Sequence, residues 1–487
     1  MRRTHQLSKP RALSAGILTA ALLAGCAAPP TANQTPPVLE LPASTQPVAQ
    51  VAADWWTSFG DAQLTGLVEE ALAGNRDLAR AAARIDQSRA ALRLAHAERL
   101  PRVDAGVSAR RERFSETSAV PINASPVAND VRAEVGVSYE LDLWSRLART
   151  EDAARAELLA TTFARDTLRT ALAVQVVKSY AALQALDAQL VLFERTVSAQ
   201  RDSLALQRKR FDNGDIGELD IRQLEAELIG NQAQLPKIER ARGEAERALA
   251  LLLGRSPRAL VDGAVRRGAE PAEVPVAELP PAGLPSDLLE RRPDIQAAAA
   301  TLAAAGARVD AARAAYFPSI SLTATLGQDS AELSKLTNGA SLIWSVVASL
   351  TQPIWDAGRI DARNDFARAR WREVEIDYRD SVATAFKETS DALGARSETE
   401  QTLRNAVERE AALAQAARLT KLRFDGGEES RIELIRAERA DLAAQSEVVD
   451  ARRALAAAQA DLFRALGGGW QLAHTAIANA DQPARSR

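Results

Sequence analysis

Cysteine, methionine and histidine are nearly missing from this 487-residue chain, which has one Cys, one Met and three His. The single cysteine, Cys26, leaves no partner for a disulfide. Past it only His96 and His474 remain, so a His-based triad or a His/Cys metal centre would need two residues far apart in sequence. No P-loop, dinucleotide-binding glycine loop or zinc motif occurs. The expectation is therefore not an enzyme, with no cofactor and no metal site. Aromatic residues make up 4% of the chain while apolar ones reach 46%, largely as alanine, which suits long, closely approaching helices better than several separate cores. Neither charge sign dominates: 61 basic and 64 acidic residues leave a net −3, so nothing favours nucleic acid. After the N-terminal region no apolar run reaches the ~18 residues of a membrane-spanning helix.

Glycine and proline are absent from 145–211, a 67-residue run of strong helix formers. As one helix it would be roughly 100 Å long at about 1.5 Å per residue. Before it, 131–143 alternates apolar and polar residues, the period of an unusually long strand. After it, Phe211-Asp212-Asn213-Gly214 predicts a tight turn into another helix. A long strand feeding a very long helix describes a spanning object.

The N-terminus carries Arg2, Arg3, Lys9 and Arg11, then an apolar stretch over 13–23 ending in Leu23-Ala24-Gly25-Cys26. This resembles a bacterial lipobox, so 1–25 reads as a lipoprotein signal peptide and Cys26 as the lipidation site (palmitate among its acyl chains). Ala27 in the next position favours the outer membrane over inner-membrane retention. Residues 26–53, rich in Pro, Thr and Gln, form a flexible lipid-anchored tether.

From 54 onward a pattern appears twice. Its first copy, 54–253, has a helix over about 61–99, strands over 102–114 and 131–143, the long helix, the turn, and a helix over 218–253 that Pro236 should kink or break. A linker over 254–284 follows. The second copy, 285–469, has a helix over 293–315, strands near 320–326 and 342–354, a long helix over 359–424, a turn at Gly427 and a helix over 428–466. A tail, 470–487, is expected to be disordered. Arg210-Phe211-Asp212 and Arg423-Phe424-Asp425 lie 213 residues apart, as do Gly214 and Gly427; Asp77 with Asp294 and Pro101 with Pro318 lie 217 apart. The unit is tandemly duplicated, and the four-residue difference falls in the first strand hairpin.

In 131–143 the residues Val131, Ala133, Val135, Val137, Tyr139, Leu141 and Leu143 share one face, while Arg132, Glu134, Ser138, Glu140 and Asp142 share the other. Apolar outside and charged inside is the pattern of a barrel wall in lipid. Four strands cannot close a barrel, and an open edge is not tolerated in lipid. Three copies would supply twelve strands, so a homotrimer is expected. The predicted fold is mainly α with a membrane β-barrel part.

The lipobox, Trp55-Trp56, Tyr139-Glu140-Leu141-Asp142-Leu143-Trp144, the twelve-residue string from Leu284 through Arg291-Arg292-Pro293-Asp294 to Ile295, Pro353-Ile354-Trp355-Asp356-Ala357-Gly358-Arg359 and the two Arg-Phe-Asp turns carry a family likeness. The chain resembles the outer membrane efflux lipoproteins, the NodT-type branch of the TolC/OprM outer membrane factor superfamily. The string from Leu284 is the most specific of these, because neither helix propensity nor packing demands it; Ser286 and Asp287 suit a short helix start, and Pro293 starts the next helix with Asp294 in its first turn. The resemblance implies a trimeric channel with a 12-stranded barrel above a periplasmic α-helical barrel. It implies the exit duct of a tripartite efflux system for drugs or toxic compounds (multidrug resistance), beside a periplasmic membrane-fusion adaptor and an inner-membrane transporter of RND type. A protein (type I) secretion duct and a non-channel coiled-coil lipoprotein are the alternatives. The family closes its periplasmic end at the helical turns, here Gly214 and Gly427. Asp220 and Glu433 match its acidic tip positions; Glu429 stands where a base can occur, Arg436 where a second acid can, and Arg431 is a nearby substitute base.

Overall fold

The computed structural model describes residues 52–115, 127–262, 265–267 and 291–469. Cys26, residues 284–290 and the tail from 470 lie outside them. The described residues divide into two compact units, one of 85–115, 127–160 and 299–378, the other of 52–84, 161–262, 265–267, 291–298 and 379–469.

The first unit holds a four-stranded antiparallel sheet in the order β1-β2-β3-β4: Arg102–Arg113, Val127–Leu141, Ser319–Ser330 and Leu342–Thr351. Directly opposed residues share a face of a sheet. The register Val135↔Ala105, Val135↔Leu326 and Leu326↔Trp344 therefore sorts the whole sheet. One face carries Val103, Val107, Val131, Val135, Val137, Ile320, Leu322, Leu326, Trp344, Val346 and Leu350. The opposite face carries Asp104, Arg110, Glu112, Asp130, Arg132, Glu134, Ser321, Thr323 and Asp329. The apolar face is open to its surroundings: Val107 is 80% and Trp344 73% exposed. From Val131 to Leu141 the apolar positions extend roughly 33 Å along β2, which at a strand tilt of about 40° becomes roughly 25 Å, the height of a membrane-facing band. On the polar face Arg132 donates to Asp329 across β2 and β3 at 2.7 Å.

The strand ends differ from the sequence expectation. β2 starts at Val127 and stops at Leu141, so Leu143 is not part of its apolar face. The Asp142 carboxylate accepts from the amides of Leu147 and Ala148 at 3.1 and 2.8 Å, and turns the chain into the helix Arg146–Asp212. At this junction Trp144 stacks on Phe317 with centroids 4.8 Å apart and donates to the Pro318 carbonyl at 2.7 Å. Glu151, nearly buried on the helix, meets Arg99 at 2.5 Å and Arg155 at 2.7 Å. Burial pushes its carboxyl upward, but the hydrogen bond from Arg99 and the charge of Arg155 leave it below the usual carboxylate range.

The second unit packs around Trp55, Trp56, Phe59, Leu64, Val176, Leu183, Leu249 and Phe463. Trp55 stacks on Phe463 with centroids 4.8 Å apart. The single helix expected over 61–99 is two, Ala62–Gly74 and Arg76–Ala97. Asn75 breaks it. Its carboxamide donates to the Leu252 carbonyl at 2.8 Å and accepts from the Asp77 amide at 2.8 Å, so the residue both ties to another helix end and caps the next one. Pro236 does break the return helix, into Glu218–Gln232 and Leu235–Leu252.

The second repeat closes in the corresponding way. Arg292, 217 residues after Asn75, reaches the Ala465 carbonyl, 213 residues after Leu252, at 3.3 Å. It also grips Asp294 at 2.7 Å and Glu388 at 2.7 Å. Gly254 and Gly467 match at the same offset, both with positive φ (74° and 103°). A Cβ on Gly254 would collide with the Gly74 carbonyl, and one on Gly467 would stand 2.7 Å from the Arg291 carbonyl. Packing thus gives Arg292 a role that the sequence had not shown, and gives Asp294, expected in the first turn of the helix Pro293–Ala314, a second one.

Candidate functional site

The candidate site is the pair of helical turns in the second unit. The long helices Arg146–Asp212 and Arg359–Asp425 end in the same way. The Gly214 amide donates to the Phe211 carbonyl and the Asp215 amide to that of Arg210, both at 2.8 Å; Gly427 and Glu428 repeat this with Phe424 and Arg423 at 3.0 and 2.8 Å. Gly214 and Gly427 sit at φ of 81° and 77°, where a Cβ is strained, so glycine ends both helices.

Asp220 occupies the first turn of the return helix Glu218–Gln232, the favoured place for an acid. Glu433 occupies the first turn of Arg431–Ala465, where its amide donates to the capping Ser430 hydroxyl at 3.2 Å. Its carboxylate meets Arg436 at 2.5 Å, three residues along the same helix, so that pair joins no two elements. Glu429 faces Arg423 at 3.5 Å. Arg431 stands over the Phe424 ring, 3.9 Å from its centroid. Burial pulls Arg431 below the ordinary arginine range, while the charges of Glu438, Asp220 and Asp425 pull it back up. Asp220 and Arg431, on different hairpins, are thus within electrostatic reach of each other.

What joins the two hairpins directly was not visible from sequence. Arg439 of the second return helix donates to Glu227 of the first, through Nε at 2.7 Å and also through Nη2. Glu227 is buried, and Asn231 donates to it as well at 3.4 Å. Beside this pair Leu204, Ile221 and Leu224 form an apolar cluster completed by Ile216, Leu228 and Ile435. One signal was available: Glu227 falls on the helical stripe of Ile221, Leu224 and Leu228, where an acid needs a partner. Nearer the turn, the Arg208 and Arg222 guanidiniums hold the Glu225 carboxyl below the usual carboxylate range. Among the described residues no group of three His, Cys, Asp or Glu is placed to hold a metal ion.

A two-faced sheet with both outer edges unpaired among the described strands, joined to duplicated helical hairpins, defines a β-barrel-forming outer membrane channel protein. The chain belongs to the outer membrane efflux protein family, which matches residues 67–255 and 284–468. It is 34% identical over 476 residues to the outer membrane protein OprJ of Pseudomonas aeruginosa, covering 95% of this chain and 97% of OprJ. It is 32% identical over 426 residues to the cation efflux system protein CusC of Escherichia coli, covering 86% of this chain and 89% of CusC. The solved outer membrane channel CmeC of Campylobacter jejuni shares the fold with a TM-score of 0.83 at 24% identity, over 91% of this chain and 97% of CmeC. The family is one of channels, and this protein resides in the outer membrane.

Proposed function

We propose that three copies close a 12-stranded barrel and form the exit duct of a tripartite efflux system for small molecules. The observation that carries this is the sheet: one face apolar across all four strands up to Arg111 and Arg113 at the end of β1, the other bearing the charges of β1, β2 and β3, and β1 and β4 each paired on one side only. Such edges need partners in lipid, and further copies of the chain supply them. In this reading the helical hairpins surround a periplasmic passage, and a periplasmic adaptor with an inner-membrane transporter of RND type delivers the cargo. Cys26 carries the lipid anchor. Cys26→Ser is expected to abolish fatty-acid labelling while the barrel still inserts; a labelled Cys26→Ser chain would refute that assignment.

The passage closes at the turns in this proposal. Threefold symmetry brings three copies of Asp220 and Glu433 toward one axis and makes a negative mouth that favours cations. The Glu227–Arg439 pair and the apolar cluster beside it hold the two hairpins of each copy together. In planar bilayers the wild-type protein should be nearly closed. Asp220→Ala with Glu433→Ala should weaken cation selectivity and raise single-channel conductance, and Glu227→Gln should raise conductance alone. Absence of any channel, from wild type or variants, would sink the duct. Unchanged conductance and selectivity in the variants would sink the gate and leave closure to packing.

A further inference from the structure

A barrel of several copies needs one pairing beyond those within the sheet, that of β4 with β1 of the next copy, and the registers of the sheet constrain it. Arg102, the first residue of β1, stands opposite Ser138, Ser138 opposite Thr323, and Thr323 opposite Val347. A line drawn square across the strands from the start of β1 therefore meets β4 four residues before its end at Thr351. At the other rim Leu342, the first residue of β4, stands opposite Gln328, Gln328 opposite Ala133, and Ala133 opposite Val107. Val107 lies six residues before β1 ends at Arg113. Over three steps from strand to strand the sheet has thus slid by four residues at one rim and six at the other, the stagger that a tilted barrel wall needs. Each strand is antiparallel to the one before it, so β4 and the next β1 meet antiparallel as well.

Threefold symmetry makes the next β1 identical to the first, so the slide summed over four steps is a whole number of residues. It is also even, because an odd slip would turn the neighbour's apolar row inward. At about 3.3 Å per residue and about 4.8 Å between strands, slides of four, six and eight residues give strand tilts of roughly 35°, 46° and 54°. Membrane barrels tilt by about 35–45°, which leaves four and six. A slide of four would have the last step advance by nothing at one rim and go backwards at the other, whereas six continues the slide already made. We infer that β4 pairs with β1 of the next copy at a slide of six, with Val346 opposite Ala109, Ala348 opposite Val107 and Leu350 opposite Ala105 of that copy. This rests on the barrel reading above. Large residues then meet small ones along the lipid face of the seam, where Val107, Val346 and Leu350 are 80%, 71% and 65% exposed. At a slide of four Val346 would meet Val107 and Ala348 would meet Ala105, bulk on bulk beside a gap. The register also sets the bore: twelve strands at the steeper tilt enclose a backbone diameter of roughly 26 Å, against roughly 22 Å at the shallower one.

The test uses the full-length chain in outer membrane vesicles, with cysteines introduced in pairs and mild oxidation; Cys26 is the only native cysteine. A disulfide needs Cα atoms within about 7 Å, and a pair two residues out of register lies beyond that, so cross-linking reads the register directly. Val346→Cys with Ala109→Cys should link chains at least about tenfold more completely than Val346→Cys with Val107→Cys. Ala348→Cys with Val107→Cys belongs to the same register and should link as well, which keeps the test open if the first pair impairs assembly. On non-reducing gels the linked species should stop at three chains, and each substitution alone should leave the chains unlinked. Stronger linking of Val346→Cys with Val107→Cys overturns the register. So does a heat-modifiable trimer in which no pair links, since β4 and β1 of neighbouring copies would then lie apart. A wild-type protein without a heat-modifiable trimer, or linked species beyond three chains, would instead bring down the barrel reading itself.

Discussion

Arg292→Ala is expected to lower the stability of the second unit by about 3–5 kcal/mol, the usual cost of removing one partner from a buried ion pair. Arg292 is 4% exposed and spends its donors on Asp294, Glu388 and the carbonyls of Ala385 and Ala465. Its loss leaves the Glu388 carboxylate with Arg464 alone, at 3.4 Å, and leaves the end of the helix Arg431–Ala465 without that donor. Arg292→Lys should recover only part of the loss, because an ammonium lacks the planar fork. The first repeat makes the same closure with an uncharged group, and the position matching Glu388 is Gln175. Asn75→Ala should therefore cost less, about 1–3 kcal/mol, the penalty for stranding buried polar partners. Urea unfolding of the detergent-solubilised protein, followed by tryptophan fluorescence, measures both. An Arg292→Ala midpoint equal to that of the exposed Arg240→Ala would show that the clasp contributes nothing.

The contrast between the two closures also explains how far the sequence could be read. Helices that end at Gly214 and Gly427 are legible because the signal is local: unbroken helix formers, then a residue that tolerates positive φ. The strands are legible because alternation with period two is local too. Their ends are less so. The alternation runs on to Leu143, but the strand stops where the Asp142 carboxylate begins to serve helix amides. The break at Asn75 is set by the Leu252 carbonyl, 177 residues away, and the Glu227–Arg439 tie spans 212 residues. No spacing rule reaches those distances; only the 213- and 217-residue offsets of the duplication hinted at paired roles. Of the tip charges chosen by resemblance, Glu433 and Arg436 pair along one helix, whereas Asp220 and Arg431 stand on different hairpins.

Val135→Arg and Leu322→Arg are expected to prevent barrel assembly, whereas Glu134→Gln and Thr323→Val are expected to be tolerated. Val135 sits midway along β2, opposite Ala105 on one side and Leu326 on the other, at the centre of the apolar face. A charge there costs about 2–4 kcal/mol near the bilayer midplane, and a trimer would incur it three times over. Glu134 is one residue away but on the polar face, opposite Gly106 and Gly327, which a water-filled barrel would solvate. The two sets thus differ in which face they occupy far more than in depth or sequence position. Heat-modifiability on gels and the amount of protein in outer membrane fractions read the outcome. A soluble amphipathic sheet would show the same sensitivity to Val135→Arg in folding, so the discriminating measurement is made in lipid. Val135→Leu should assemble in vesicles like wild type, and a cysteine at 135 should resist water-soluble thiol reagents while one at 134 reacts. Equal labelling at the two positions would mean that neither face of β2 meets the hydrocarbon, and the barrel would have to be abandoned.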